Sequence, residues 1–116
     1  ATSLTIVQFA DNKLSGSIPS EIGNLEALEE FNLSNNDLSY ELPTEIGNLL
    51  SLQRLYLQDN RLLGPLPSEM GLMENLRTWD MSNNHVFDKI PQELWQGTSL
   101  QNLESLDLSR NLLTGE

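Results

Sequence analysis

The chain has 116 residues, enough for one domain, and its 38% hydrophobic content is that of a folded protein rather than a disordered one. The absence of cysteine excludes disulfide bonds, thiolate zinc sites and a cysteine nucleophile. Seventeen acidic residues against six basic ones give a net charge of −11, which argues against binding to nucleic acids or anionic membranes. The sequence has no run of about eighteen apolar residues, so no membrane span is predicted. Residues 1–14 lack the basic flank and apolar core of a signal peptide.

One residue pattern recurs along the whole chain. Asparagines spaced by 24, 24, 24 and 27 residues, here called the ladder asparagines, are Asn12, Asn36, Asn60, Asn84 and Asn111. Apolar residues three and five positions before each of them alternate with polar ones, which predicts one short, half-buried strand per repeat. Because so short a unit cannot bury its apolar face alone, we expect the repeats to stack with parallel strands. The ladder asparagines would then satisfy backbone groups at the turns.

The pattern divides the chain into five repeats within a single domain. Their predicted bounds are 1–24, 25–48, 49–72, 73–99 with a three-residue insertion, and a truncated 100–116. Proline opens the second half of four repeats and is followed by a small or polar residue and then glutamate, at Pro19-Ser20-Glu21, Pro43-Thr44-Glu45, Pro67-Ser68-Glu69 and Pro91-Gln92-Glu93. A proline and an acid in the opening turn favour the positive end of a short helix, and a glycine follows in three of the repeats. We therefore expect a brief helical or 3-10 turn on the outside of each repeat.

With this pattern the chain resembles the plant-type leucine-rich repeat, LxxLxLxxNxLxGxIPxEIGxL, over all 116 residues. That class occurs in plant receptor-kinase ectodomains, receptor-like proteins and polygalacturonase inhibitors. The resemblance implies an α/β solenoid, a right-handed leucine-rich-repeat superhelix. In it a parallel β-sheet lines the concave face, short helical or 3-10 turns lie on the convex side, and a second short sheet often forms near the LxGxIP segment. The family's terminal caps are absent, so we expect a fragment of a longer array.

Several positions depart from the family pattern. Tyr40 and Asp88 replace a glycine of the second-sheet segment, which we expect to be less regular there. Trp95 replaces the glycine of the convex turn beside the insertion, where a bulged loop is predicted over residues 96–99. Trp79 lies at a framework position and is predicted to be in the core, and the same placement is favoured for Trp95.

The solvent-facing positions of each strand lie six, four, two and one before the ladder asparagine, with one more after it. They form the predicted concave surface. The best candidate for ligand binding is the cluster of Arg54, Tyr56 and Arg61, since arginine grips carboxylates and tyrosine offers flat apolar area with a hydroxyl. Further candidates on this surface are Asn32, Gln58, Asp80 and Asp107. The alternative is that Arg54 pairs with Glu30 or Asp80 on adjacent strands and that Tyr56 is merely exposed.

The acidic residues and the histidine of the predicted concave surface do not favour a catalytic site. Asp80 and Asp107 occupy equivalent positions on adjacent strands, roughly 4.8 Å apart, near the separation that a retaining glycosidase uses. However, no cleft is predicted that would raise the pKa of one of them. His85 is the single histidine, and nothing orients it, so neither a metal site nor a cofactor is expected. Asn32-Leu33-Ser34 is a possible N-glycosylation sequon.

The sequence therefore favours a non-catalytic binding module that uses the concave sheet surface for a protein, peptide or glycan ligand. By resemblance, it would be part of an extracellular or cell-surface recognition ectodomain. Two alternatives stay open: a structural or scaffolding segment, which could be cytoplasmic, and an inhibitor of a secreted polysaccharide hydrolase.

Overall fold

The short strands that precede the ladder asparagines stack into one parallel sheet. The computed structural model describes residues 4–96 and 99–114. In chain order its elements, with 3-10 helices labelled η, are β1 (Ile6–Gln8), β2 (Ser15–Gly16), η1 (Ser20–Asn24), β3 (Glu30–Asn32), β4 (Asp37–Glu41), η2 (Thr44–Asn48), β5 (Arg54–Tyr56), β6 (Arg61–Leu63), η3 (Ser68–Leu72), β7 (Thr78–Asp80), β8 (Phe87–Lys89), η4 (Gln92–Leu94), β9 (Ser105–Asp107) and β10 (Leu112–Thr114). The five-stranded sheet has the order β1-β3-β5-β7-β9. This arrangement confirms the predicted solenoid of stacked repeats.

The register of this sheet follows the repeat. Val7 pairs with Phe31, and Leu55 pairs with Trp79, each 24 residues further along the chain. The pairing of Trp79 with Leu106 absorbs the longer spacing without a slip. Because side chains alternate along a strand, the middle residue of each three-residue strand points inward. The inward-facing Phe31, Leu55 and Trp79 are buried in one continuous apolar core.

Four of the five ladder asparagines join neighbouring repeats through their side-chain amides, namely Asn36, Asn60, Asn84 and Asn111. The Nδ2 atom of Asn60 lies 3.2 Å from the carbonyl oxygen of Leu57 in its own turn and 3.0 Å from that of Leu33 in the preceding repeat. Its Oδ1 atom accepts a hydrogen bond from the backbone N–H of Leu38 at 3.0 Å. Since these backbone groups lie between stacked repeats, the amide supplies partners that the turn cannot. The role predicted for the ladder is thus confirmed.

The convex side carries the four 3-10 helices η1–η4, which confirms the predicted short turns. Each follows an extended proline and carries a glutamate in its first turn. The proline itself takes the N-cap position, and it makes no side-chain capping hydrogen bond. Three of the helices contain a glycine facing the next repeat. A Cβ on Gly23 would lie 2.9 Å from the carbonyl oxygen of Glu45, and one on Gly71 would lie 2.7 Å from that of Glu93.

The closest of these approaches is at Gly47, where an added Cβ would overlap the carbonyl carbon and oxygen of Glu69. We expect Gly47→Ala to lower the free energy of unfolding by about 2 kcal/mol, because the obstacle is backbone of the next repeat and the whole stack must shift. Chemical denaturation of the two proteins measures this difference. Asn24→Ala, at an exposed position of η1, is the control and should change stability by less than about 0.5 kcal/mol. Equal effects of the two substitutions would refute the steric explanation.

A second, shorter set of strands flanks the main sheet, as the family resemblance implies. The strands β2, β4 and β6 form one parallel sheet, and β8 pairs with β10. Two backbone hydrogen bonds connect these groups, from the N–H of His85 to the carbonyl of Leu62 and from that of Phe87 to Gly64. We call this surface the second-sheet flank.

The irregularity predicted at Tyr40 is wrong, since β4 continues through it, whereas the second sheet is interrupted beside Asp88, where β6 and β8 are not paired as strands. Both residues adopt the left-handed backbone of the glycines that they replace, with φ of 65° and 74° against 84° at Gly16 and 76° at Gly64. They lie within β4 and β8, and β4 is the longest strand of the described residues, with five residues. Non-glycine residues in this conformation carry a steric cost, so the substitutions change the strain of the backbone and not its course.

The two tryptophans have opposite environments. Trp79 is completely buried, which confirms its predicted place in the core. Trp95 is 53% exposed, so the core placement favoured for it is wrong. The physical reason is its position: the equivalent glycines direct their missing Cβ along the solenoid towards the next repeat and not into the core. The predicted bulge over 96–99 includes residues 97 and 98, which lie outside the described residues.

Candidate functional site

The concave surface consists of the outward-facing first and third residues of each strand in the main sheet. Register places them in two rows that cross all five strands. One row contains Ile6, Glu30, Arg54, Thr78 and Ser105, and the other contains Gln8, Asn32, Tyr56, Asp80 and Asp107. Adjacent members of a row are separated by roughly the 4.8 Å spacing of parallel strands. Four of the seven candidate residues, Asn32, Tyr56, Asp80 and Asp107, therefore lie side by side in one row.

Arg54 is engaged by its neighbour in the first row. Its Nε donates to Oε1 of Glu30 at 2.8 Å, the single ion pair among residues 4–96 and 99–114. This hydrogen bond is the largest of the causes that raise the pKa of Arg54. The predicted alternative, pairing with Glu30 on the adjacent strand, is confirmed. The two Nη atoms make no hydrogen bond to the described part of the chain, and the Arg54 side chain is 40% exposed.

Asn32, Asp80 and Asp107 share a local motif that the sequence analysis did not identify. In each, Oδ1 accepts hydrogen bonds from the backbone N–H and the hydroxyl of the serine two residues later. The hydroxyl of Ser82 lies 2.8 Å from Asp80, and that of Ser109 lies 2.6 Å from Asp107. The signal was present as Asn-x-Ser or Asp-x-Ser in three of the five repeats. One oxygen of each side chain is thus occupied by the fold, which fixes the orientation in which the rest of the group faces the concave surface.

The serine of this motif is less accessible than predicted. Ser34, expected on the solvent-facing side, is buried at 8% exposure because its hydroxyl turns back to Asn32. Asn32, the acceptor residue of the possible sequon, is half-buried and holds that hydroxyl at 2.7 Å. Glycosylation of Asn32 stays a prediction.

The carboxylates of the second row are poor candidates for acid catalysis. The hydroxyl and then the backbone N–H of Ser109 lower the pKa of Asp107, which is opposite to the direction required of a general acid near neutral pH. Within the described ranges no three His, Asp or Glu side chains are grouped to hold a metal ion. No helix there is long and apolar enough to span a bilayer.

Gln58 follows the Tyr56 strand at the position where three other repeats have serine. Its Oε1 atom is buried and has no hydrogen-bond partner among the described residues. A buried acceptor without a donor is costly, so a ligand N–H that reached it would gain more than it would from an acceptor already in contact with water. The third member of the predicted cluster, Arg61, is exposed and lies on β6 of the second-sheet flank. The predicted cluster therefore spans the two sheets.

The residue just before each ladder asparagine is constrained by the turn. In all five repeats it has a left-handed backbone, with φ of 60° at Asp11 and 61° at Asp59. Asparagine and aspartate tolerate this conformation better than other non-glycine residues do, and four of the five repeats use one of them. Their side chains also pair across repeats: Asn35 donates to Asp11 at 2.7 Å and Asn83 to Asp59 at 2.8 Å. This column is thus determined by the turn and is less free to vary for recognition than the two rows on the strands.

Stacked 24-residue units, a ladder of asparagines and a concave parallel sheet backed by 3-10 helices define a leucine-rich-repeat solenoid. The family model described as Leucine Rich Repeat matches residues 3–25, 27–49, 51–73 and 102–116. The chain belongs to this family. The repeat with the insertion and with Trp95 is not matched by the family model. A search of curated proteins gives no match to the chain.

Solved structures of plant receptor ectodomains are similar to the chain. The leucine-rich-repeat ectodomain of the receptor kinase GASSHO1/SCHENGEN3 from Arabidopsis thaliana, in complex with CASPARIAN STRIP INTEGRITY FACTOR 2, is 38% identical with a TM-score of 0.95. The plant peptide hormone receptor RGFR1 in complex with RGF2 is 42% identical with a TM-score of 0.92. The BIR3–SERK2 complex from Arabidopsis thaliana matches at 32% identity with a TM-score of 0.86. The matches cover 99%, 97% and 94% of this chain, but only 13%, 18% and 57% of those chains. The repeats are therefore of the plant type.

Proposed function

We propose that the chain is a non-catalytic recognition segment of an extracellular receptor ectodomain, and that it binds an extended peptide across its concave sheet. The observation that carries the proposal is the contrast between two sets of positions. The inward strand positions are apolar in every repeat, whereas the outward rows range from apolar through polar and charged to aromatic, and only Asp80 and Asp107 are identical neighbours. Variation confined to one exposed surface on a rigid scaffold is typical of a recognition surface. The peptide complexes of the similar receptors support the same reading.

The dimensions favour a peptide over a folded protein. Five strands at about 4.8 Å span roughly 20 Å, which accommodates about six residues of an extended chain at about 3.3 Å each. The exposed rows are roughly 10 Å high, so the surface covers on the order of 200 Å² in projection. A standard protein interface needs roughly 800 Å² from each partner, so a folded protein would require additional surface.

The charged side chains of the concave surface favour one orientation of the bound peptide. At the centre, the Nη atoms of Arg54 are available to a carboxylate, and Tyr56 offers an aromatic ring beside them. Towards β9, Asp80 and Asp107 each retain one carboxylate oxygen that makes no hydrogen bond within the described residues. We therefore propose a ligand with an acidic group over β5 and a basic group or an amino terminus over β7 and β9.

Selection of linear peptides from a random phage-displayed library on the whole chain, followed by calorimetry, tests the proposal. We expect Arg54→Ala and Tyr56→Ala each to weaken binding of the selected peptides about tenfold, as is usual for central interface residues. Arg61→Ala, on the second sheet, should have a smaller effect. Glu69→Ala, on the exposed convex side, is the control and should leave the affinity unchanged. Peptides that bind all these variants like the parent chain would show that the concave surface is not the site.

A further inference from the structure

A shallow apolar depression lies on the second-sheet flank, away from the concave rows. Its volume is about 370 Å³, and it is lined by Tyr40, Glu41, Leu63, Gly64 and Phe87. These residues come from β4 and β8, from β6 and from the residue after β6, none of which belongs to the five-stranded sheet. Tyr40, Leu63 and Phe87 are 64%, 42% and 44% exposed. Three large apolar side chains are thus grouped on the solvent-exposed surface, outside both the asparagine ladder and the buried core.

Tyr40 is the most informative member of this group. It occupies the left-handed position that is glycine at Gly16 and Gly64, so its backbone carries a cost that glycine would avoid. Its side chain is also largely exposed, so packing of the ring offsets little of this backbone strain. Neither backbone geometry nor burial accounts for a tyrosine here, and strain that the fold does not need is a recognised mark of functional positions.

The neighbours of Tyr40 show the same departure from what the repeat requires. Leu63 and Phe87 lie three residues after their ladder asparagines, where repeats 1 and 2 have Ser15 and Ser39. The serines show that the second-sheet strand forms without an apolar residue at this position. The apolar surface is therefore concentrated where repeats 2, 3 and 4 meet.

The charge of the depression indicates what would occupy it. The Glu41 side chain crosses the space above Gly64, where any Cβ would overlap it, and so forms part of the wall. Its carboxylate has no ion-pair partner within residues 4–96 and 99–114. Arg61 and Lys89 are the basic residues of the flanking strands, and neither lines the depression. An acid beside two aromatic rings and a leucine matches a long apolar stem that ends in a cation.

We propose that this depression receives an arginine side chain of a protein partner that docks on the second-sheet flank. The aliphatic stem of the arginine would lie against Leu63, and its flat guanidinium would stack on Tyr40 and pair with Glu41. Arginine suits the site better than lysine because a planar, weakly hydrated guanidinium stacks on an aromatic ring while it holds a carboxylate. A second copy of this chain is disfavoured by its net charge of −11.

The test is a titration of the isotopically labelled whole chain with N-acetyl-arginine methylamide, followed by amide NMR shifts. We expect saturable shifts at Tyr40, Gly64 and Phe87, and at least about fivefold weaker binding of the neutral isostere N-acetyl-citrulline methylamide, since the charge is worth that much at an exposed site. Equal affinity for the two probes would overturn the proposal. So would the absence of saturable shifts at these amides, or shifts spread evenly over the acidic convex side.

Two variants separate binding at this depression from folding. Tyr40→Gly restores the glycine of repeats 1 and 3, so the chain should fold at least as stably while the arginine-dependent shifts at Gly64 and Phe87 disappear. Asp88→Gly makes the same backbone change in repeat 4, at a residue that does not line the depression, and should keep them. Retention of the shifts in Tyr40→Gly, or their loss in both variants, would contradict the assigned site. Neither variant alters the two concave rows, so this outcome is independent of peptide binding there.

Discussion

Replacement of Asn60 by alanine is expected to lower the free energy of unfolding by about 2–4 kcal/mol, because its amide bonds buried backbone groups of two repeats at once. The substitution leaves the N–H of Leu38 without its partner and removes one of two donors from the carbonyl of Leu33, which keeps the hydrogen bond from Asn36. Both residues are buried, at 4% and 8% exposure, so water cannot substitute for the lost amide. Each unsatisfied buried group costs about 1–3 kcal/mol. Urea unfolding followed by circular dichroism measures the loss.

Asn12 provides a matched control for this experiment. It occupies the same place in repeat 1, but its Nδ2 atom contacts only the carbonyls of Phe9 and Ala10 in its own exposed turn. We expect Asn12→Ala to cost less than about 1 kcal/mol. If the two substitutions were equally destabilising, the bonds between repeats would not be the source of the stability. Asn60→Asp would then show whether the lost donor or the lost acceptor matters more.

Trp79→Ala should be comparably destabilising, by about 3–5 kcal/mol, for a different reason. Trp79 has the largest side chain in the buried core and is fully enclosed, so its removal creates a cavity that rigid neighbouring strands cannot close. Trp79→Phe should cost much less. The indole Nε1 is buried without a hydrogen-bond partner among the described residues, so the loss of that N–H removes no bond and offsets part of the lost packing.

Trp95 serves as the comparison for Trp79. At 53% exposure it contributes little to the core, and Trp95→Ala is expected to change stability by less than about 1 kcal/mol. Intrinsic tryptophan fluorescence tests the environments of Trp79 and Trp95 in the two variants. The Trp79→Ala protein should retain only a solvent-exposed emission that changes little on unfolding, whereas the Trp95→Ala protein should retain a buried emission that shifts strongly. The reverse assignment would refute the placement of the two side chains.

The framework was predictable from the sequence because its physics is local and repeated. A period-two alternation before each asparagine defines the strand, and stacking is the single way to bury the apolar face of so short a unit. Trp95 could not be placed in this way. Its position was known within the repeat, but the room for a side chain there depends on how closely the next repeat approaches, as the overlap of an added Cβ at Gly47 shows. That is a property of the stack and is not contained in one unit.

The candidate site was only partly predictable. The rows of the concave sheet followed from the alternation, and register then placed Asn32, Tyr56, Asp80 and Asp107 beside one another. The hydrogen-bond and ion-pair partners of these side chains could not be predicted, because they depend on side-chain rotamers. Sequence analysis left Arg54 between two acids, and the structure pairs it with Glu30. The consequences of Tyr40 were also missed, since a non-glycine residue at a glycine position can either redirect the backbone or accept strain.

The constant register of the main sheet affects how the chain folds and how its repeats can vary in length. Because neighbouring strands pair residues 24 apart, every new strand closes a loop of the same length, and the entropy lost at each step is nearly equal. At the junction of β7 and β9 the loop is 27 residues long. Loop-closure entropy grows only with the logarithm of length, so three more residues cost about 0.1 kcal/mol. Insertions on the convex side are therefore almost neutral for assembly, and this is where repeats can diversify in length without disturbing the sheet.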